Sequence, residues 1–476
     1  MSSHQRPPDD HDERRTKRRR IGALVAASGG AFIGLLDATI VNVAFPSMSE
    51  AFSGADRSQL SWILDSYFIV LAALMVPAGA LADRYGRKKV FLAGIGAFVG
   101  SSILCAVAPT LELLVAARVL QGAATAVIVP ASLALVLREF PIGQRSTAVA
   151  VWSAAAALAA ASGPPVGGLL VEIADWRWIF LINLPLGALV AVLGIRTLRE
   201  SRDEDSTGLP DLIGSVVAVG ALGLLTLGLV EGDNWGWTSP AVLGSFAVSA
   251  LLGCVLVWRS LQHDRPVIDP ALMAIQSFRV GSLGMLVFAT AMFAVILGNV
   301  LFLTSIWDYS VLQAGLAAVP GALATTIVAR PAGRLADRFG HRAVILPGVA
   351  LYALGVVGLC FVGSEPNFLL AWMPWTITSG IGIGLALPIM GAAAVADVPE
   401  QRFGAASALS ATFRQIGAVI GTAALIAILG SPVSIDDAMS HADRAYLFAA
   451  VVAVVSGSLV LSLRPAHKKE ELVPAR

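Results

Sequence analysis

Charge is what this chain has least of. Asp, Glu, Lys and Arg make up only 14% of its 476 residues, while 56% are hydrophobic; an ordinary soluble domain carries about 25% charged residues. The mean hydropathy is +0.77. A soluble fold has no place for so much apolar surface, so lipid is the expected solvent for most of the chain. Cysteine is also scarce. Cys105, Cys254 and Cys360 each sit in an apolar run without CxxC spacing, which reads as three buried small hydrophobes and indicates neither a disulfide framework nor a zinc site. The net charge of +1 gives no reason to expect nucleic acid as a partner. No GxxxxGK[ST] phosphate loop occurs, and no polar stretch is long enough for a nucleotide-binding domain, so ATP is not expected to drive anything within this chain. None of the six His residues is expected inside an apolar run, which leaves no enzyme-like constellation. No metal and no cofactor is expected.

What is present is a series of long apolar runs. A helix needs roughly 20 such residues to cross a bilayer, and about fourteen candidates occur. Six lie near 21–45, 59–80, 89–109, 111–136, 145–171 and 176–196. Two lie near 211–231 and 239–259. Six more lie near 279–306, 311–332, 342–362, 367–392, 403–429 and 443–464. They are rich in Gly, Ala and Ser, which permit close helix contact in lipid. Short alternating strands are absent, which excludes a β-barrel. The expected fold is therefore an all-α membrane protein. Residues 1–20 read as a disordered basic cytoplasmic tail. Residues 21–200 form a six-helix bundle, 201–278 two inserted helices and a linker, 279–465 a second six-helix bundle, and 466–476 a cytoplasmic tail.

Placing the N-terminus inside and alternating puts about 27 of the 33 Lys and Arg residues on the inner side, the positive-inside pattern. That bias supports an even number of spans and cytoplasmic termini. The segment Gly79-Ala-Leu-Ala-Asp83-Arg84-Tyr85-Gly86-Arg87 after the second span returns as Gly333-Arg-Leu-Ala-Asp337-Arg338-Phe339-Gly340-His341-Arg342 after the tenth. Both copies fall inside. Two parallel six-span halves separated by two extra spans account for the offset, and such halves hold a transporter's substrate site between them.

Further motifs stand in order along the first half. They are Leu36-Asp37-Ala-Thr39-Ile-Val-Asn42-Val-Ala-Phe-Pro46 in the first span, Arg118-Val-Leu-Gln121-Gly122 in the fourth, Ser162-Gly163-Pro164-Pro165-Val-Gly167-Gly168 in the fifth and Trp176-Arg-Trp-Ile-Phe-Leu-Ile-Asn183-Leu-Pro185 at the sixth. With the loop from Gly79 to Lys89, these resemble the major facilitator superfamily, and within it the fourteen-span drug:proton antiporters. The resemblance spans nearly all of the chain beyond Arg20. It implies the major facilitator fold and proton-coupled export of drugs or drug-like molecules. It also implies that the loop Asp83, Arg84, Gly86, Arg87 is a conformational latch between the halves, weakly repeated by Asp337, Arg338 and Arg342. Gly163, Pro164 and Gly167 then belong to the interface that closes during exchange. The second half departs from the family pattern: Asp308 precedes Tyr309-Ser310 where a Gly is common, and Thr304 stands where a Gln is common.

An ionisable side chain inside a span is costly and by default functional. Asp37 and Asp65 are the two acids clearly inside spans. At a rise of 1.5 Å per residue, Asp37, Asp65 and Arg118 lie roughly 12, 8 and 10 Å from the outer ends of their spans, a shared depth at which they can face one cavity. Asp37 is the expected proton carrier: burial opposes its charge, a neighbouring guanidinium supports it, and a carrier needs the two balanced. The alternative is a structural Asp37–Arg118 ion pair. Arg118 shares a helical face with Gln121 and Thr125, a stripe expected to line the substrate cavity. Asp65, with Trp62 one turn before it, suits a lipophilic cation, and equally suits an interfacial acid beside an interfacial Trp. Arg414, mid-span and sharing its face with Ser407, Ser410, Gly417 and Gly421, reads either as a further cavity residue or as a satisfied buried Arg, whereas Arg330 near the inner face reads as structural.

The reading is a proton:substrate antiporter in the bacterial plasma (inner) membrane that works by alternating access on amphipathic drugs, antibiotics or dyes. Its partners are a small molecule, protons and the lipid bilayer, and one chain holding both halves suffices as a monomer. An exporter of another cargo, such as a siderophore, lipid or metabolite, fits the same fold.

Overall fold

The computed structural model describes residues 10–202, 210–399, 402–430 and 432–463. Among them, fourteen helices are long and apolar enough to cross a membrane, and no strand occurs. They are α1 (Arg18–Ala51), α2 (Arg57–Tyr85), α3 (Arg87–Ala106), α4 (Leu111–Glu139), α5 (Thr147–Ile173), α6 (Trp178–Thr197), α7 (Leu212–Val230) and α8 (Pro240–Ser260). After these come α9 (Gln276–Ser305), α10 (Val311–Phe339), α11 (His341–Leu359), α12 (Phe368–Val395), α13 (Phe403–Leu429) and α14 (Ile435–Val460).

The chain signals its own helix starts at the side with few Lys and Arg, here called outer. Asp56 and Gln59 form a capping box at α2, and Ser310 and Gln313 form another at α10. Thr110, Ser239 and Ser434 cap α4, α8 and α14 through their hydroxyls. Each such cap satisfies a backbone N–H that the helix itself leaves free. At the inner side the internal repeat acquires a physical meaning. Gly86 (φ 109°) joins α2 to α3 and Gly340 (φ 88°) joins α10 to α11, each as a one-residue turn in a region that favours glycine. At Gly86 an added Cβ would also lie 2.7 Å from the Glu200 carboxyl. Gly86→Ala is therefore expected to cost about 1–3 kcal/mol, read as a lowered thermal unfolding temperature. Gly96→Ala, mid-helix with open space around it, is the neutral control.

In the first half, α1 packs on α4, α5 and α6, α2 on α4, and α3 on α4 and α6. In the second, α9 packs on α12, α13 and α14, α11 on α12 and α14, and α10 on α12. α7 and α8 pair with each other, and α7 leans on α2 and α13. The halves meet along α2–α13, α5–α10 and α1–α9.

Three expectations change. The helix that continues as α1 begins at Asp10, so residues 10–20 are helical rather than a disordered tail; residues 1–9 lie outside the described residues, as does the tail 466–476. α14 starts at Ile435, capped by Ser434 with Asp436 and Asp437 in its first turn, about two turns earlier than read from the sequence, because a capped acidic turn is still helix. It therefore includes His441. Cys105 is buried, but Cys254 is exposed: α8 has few neighbours besides α7, so much of its surface faces outward. Asp308 adopts φ 54°, the only positive φ at a non-glycine among the described residues. This left-handed turn accounts for the glycine common there, and Asp is among the few residues that tolerate it.

Candidate functional site

Asp37 lies at the centre of a buried polar cluster in the first half. Arg118 Nη1 donates to Asp37 Oδ2 at 2.5 Å and to Gln121 Oε1 at 2.7 Å. Gln121 Nε2 donates to Asp37 Oδ1 at 2.9 Å and to Ser102 Oγ at 2.8 Å. Asn183 Nδ2 donates to the same two oxygens at 3.1 and 3.2 Å. Arg118 Nε donates to the Ile63 carbonyl at 2.9 Å, and the guanidinium lies 4.1 Å above the Tyr67 ring. The Tyr67 hydroxyl in turn bonds the Gly34 carbonyl and Thr125 Oγ1, each at 3.1 Å. Asp37, Ser102, Arg118, Gln121 and Asn183 are all 0% exposed. One charge of each sign is thus taken out of solvent and held by five of the first six spans. Asp37 receives three N–H donors, one of them charged, a set suited to a carboxylate; binding a proton removes the charge that Arg118 faces. Arg118 Nη2 is buried without a partner, so the cluster is not fully satisfied.

The sequence expected Gln121 and Thr125 to line a cavity. In this conformation both are buried within the first half, at 0% and 1% exposure. Gly122 explains the difference. A Cβ there would lie 2.6 Å from the Tyr67 carbonyl oxygen, so α4 is pressed against α2 and the polar stripe is sealed between them. Ser102, Asn183 and Tyr67 were missed as cluster members. Asn183 and Ser102 are polar residues inside apolar runs, which is the signal that marks them.

Asp65 does not join this cluster. It is 0% exposed and points from the opposite side of α2, accepting a hydrogen bond from the Thr422 hydroxyl of α13, with Ser61 beside it. Its second oxygen, Oδ2, has no hydrogen-bond partner. The expectation that Asp37, Asp65 and Arg118 share one space is therefore not met: α2 stands between them. Trp62 is half-buried against the apolar core around α2. Arg414 is half-buried on α13 and makes no hydrogen bond or ion pair among the described residues.

The glycine-proline segment of α5 works on two sides. A Cβ on Gly163 or Gly167 would run into Thr39 or Ile40, which shows how closely α5 lies on α1. On its other side, a Cβ on Gly315 of α10 would overlap the Pro164 carbonyl, and one on Gly168 would lie 2.7 Å from Leu312. Pro164 thus stands where the two halves touch. Other contacts close the outer rim. Arg57 donates to the Gly430 carbonyl at the end of α13 (3.2 Å), Ser58 donates to Glu231 (2.8 Å), and Asn234 bridges Asp56, Ser58 and Glu231. The first ties α2 to α13, and the others tie the connection between α7 and α8 to the start of α2, a role that no sequence motif marked.

In this conformation the inner loop makes its side-chain bonds within the first half. Asp83 pairs with Arg87 at 2.7 Å, and Arg84 lies over Tyr85. Lys88 Nζ bonds the Ile195 and Leu198 carbonyls at the end of α6, and Glu200 accepts from the Lys88 and Lys89 backbone N–H groups. The loop is fastened to α6 of its own half. The reason is geometric: α3 begins at Gly86, so its free N–H groups need an acceptor, and Glu200 supplies one. Among the described residues, no group of His, Cys, Asp and Glu is arranged to hold a metal.

The comparisons with known proteins agree with this architecture. The model of the Major Facilitator Superfamily matches residues 27–298 and 281–476. The multidrug resistance protein Stp of Mycobacterium tuberculosis is 32% identical over 461 residues, covering 96% of this chain and 85% of that protein. The methylenomycin A resistance protein of Streptomyces coelicolor is 32% identical, covering 86% of this chain and 85% of that one. A probable actinorhodin transporter of the same species is also 32% identical, with coverage of 94% and 80%. Among solved structures, a bacterial homolog of the human lysosomal transporter Spinster, in an inward-facing and unoccupied conformation, superposes with a TM-score of 0.62. It covers 93% of this chain and 96% of its own at 16% identity, a likeness of fold alone. With a family model matched along nearly its whole length, this chain belongs to the Major Facilitator Superfamily and is a transporter rather than an enzyme.

Proposed function

We propose that this chain exports amphipathic antibiotics or other drugs across the bacterial plasma membrane in exchange for protons, with both termini cytoplasmic and as a monomer. The observation that carries the coupling is the buried Asp37–Arg118 pair. A carboxylate in the membrane interior, held by one guanidinium and two amides, has two distinct states. Ionised, it binds α1 to α4 and α6. Protonated, it loses the attraction of Arg118, and the first half is free to repack. A proton entering from outside and leaving inside then alternates between these packings, and a charge moved through 100 mV contributes about 2.3 kcal/mol. The names of the relatives support the cargo class, and the bias of Lys and Arg supports the orientation. The seam at Pro164 and Gly315 and the rim at Arg57 and Gly430 are the contacts that must part for release outside.

Cargo breadth is the second question. One relative is named for many drugs, others for a single compound, and an exporter devoted to one metabolite fits the same geometry. The test is purified protein in proteoliposomes with an acidified lumen. Ethidium is a suitable cargo, because its permanent charge prevents passive trapping by pH. Accumulation against its gradient, abolished by nigericin, is the expected result. Accumulation that persists without a pH gradient sinks proton antiport. If ethidium does not move but a single metabolite does, the narrow exporter stands.

A further inference from the structure

We infer that Arg414 is the binding site for an acidic group on the transported molecule, a carboxylate, sulfonate or ionised phenol. This deepens the export reading and rests on it.

Arg118 and Arg414, both inside spans, are treated differently. Arg118 is fully enclosed and has a carboxylate, a carbonyl, an amide and an aromatic face. Arg414 has none of these. It makes no hydrogen bond or ion pair among the described residues, and its Nε is buried without an acceptor. An uncompensated charge at this depth is expensive, and such a group persists where a function needs it.

Its surroundings say what can reach it. α13 is enclosed by α2, α7, α9, α12 and α14, with α4 close by. The accessible part of Arg414 therefore opens between helices, not to lipid. Lipid phosphates lie about 15 Å from the bilayer centre, too far for a headgroup to supply the missing charge. The direction follows from the helix period. Gly421, seven residues on and on nearly the same face, abuts Thr290 of α9. Thr422, eight residues on, meets Asp65 of α2. Arg414 thus points into the angle between α9 and α2, at the boundary of the two halves. It also lies about 12 Å further in than the Thr422–Asp65 contact. An anionic cargo arriving from the inner side meets this guanidinium below the closed outer seam.

The experiment uses two dyes on one xanthene skeleton, anionic fluorescein and cationic rhodamine 123, with wild type, Arg414→Gln and Arg414→Lys. Anisotropy gives binding to the detergent-purified protein, and proteoliposomes give transport. The expected result is that Arg414→Gln weakens fluorescein binding by about tenfold or more and leaves rhodamine 123 within about twofold, while Arg414→Lys retains part of the anion binding. Arg414→Gln should also unfold at or above the wild-type temperature, because it removes an unpaired, half-buried charge. Equal losses for both dyes, no loss for either, a wild type that binds rhodamine 123 but not fluorescein, or a clearly lowered unfolding temperature in the Gln variant would each overturn the assignment. Charge-selective binding without transport of either dye by wild type would instead remove the export reading and leave an anion site standing.

Discussion

Asp37→Asn is expected to abolish proton-driven accumulation of cargo and to lower stability at the same time. The amide keeps an acceptor for Gln121 and Asn183 but leaves the Arg118 guanidinium buried without a counter-charge. Breaking a buried pair by removing one partner costs about 3–5 kcal/mol. Loss of transport alone would therefore not separate a proton carrier from a structural ion pair. The double variant Asp37→Asn/Arg118→Gln does so, because it removes both charges and leaves two groups that hydrogen-bond each other. It is expected to regain most of the thermal stability and none of the uphill transport. Uphill transport that returns together with stability would make the pair structural and move the coupling carboxylate elsewhere, with Asp65 the remaining acid inside the inter-half boundary.

The second large effect is expected from Gly315→Leu. Any side chain there meets the Pro164 carbonyl of the opposite half, a backbone atom that cannot turn aside. Overpacking of this kind costs about 1–3 kcal/mol. Paid only when the outer seam is shut, that cost lowers the ratio of shut to open states by about five- to 150-fold. Turnover should fall accordingly. Spin labels at the outer ends of α5 and α10 should report a longer separation than in wild type. Gly100→Leu, on a face of α3 with nothing within 4 Å, should leave transport unchanged. A Gly315→Leu protein that turns over normally would mean that the seam does not part and re-form during the cycle.

Asp308 and Glu200 show two ways in which sequence and structure meet. The glycine-to-Asp departure before Tyr309 was visible in the sequence, but only the backbone shows that the position needs a left-handed residue and that Asp meets the need. Glu200 carried no motif. It matters because the inner loop ends where α3 begins, and the free N–H groups of that helix start take the nearest carboxylate.

Fourteen spans, their even number, the two-half repeat and the pairing of Asp37 with Arg118 were legible from the sequence, because each has a local signal: apolar length, the bias of Lys and Arg, a recurring Asp-Arg-aromatic-Gly turn, and charges where charge is costly. Only the tertiary structure decided the rotation of each helix about its axis. It placed Asp65 toward α13 and away from Arg118, sealed Gln121 and Thr125 inside the first half, brought Asn183 onto Asp37, and set Ser102 behind Gln121 and Asn183. In water a helix announces its buried side by an apolar stripe. In lipid the outward side is apolar as well, so that stripe is missing, and close approach at small residues such as Gly122, Gly163 and Gly315 sets which side faces which neighbour.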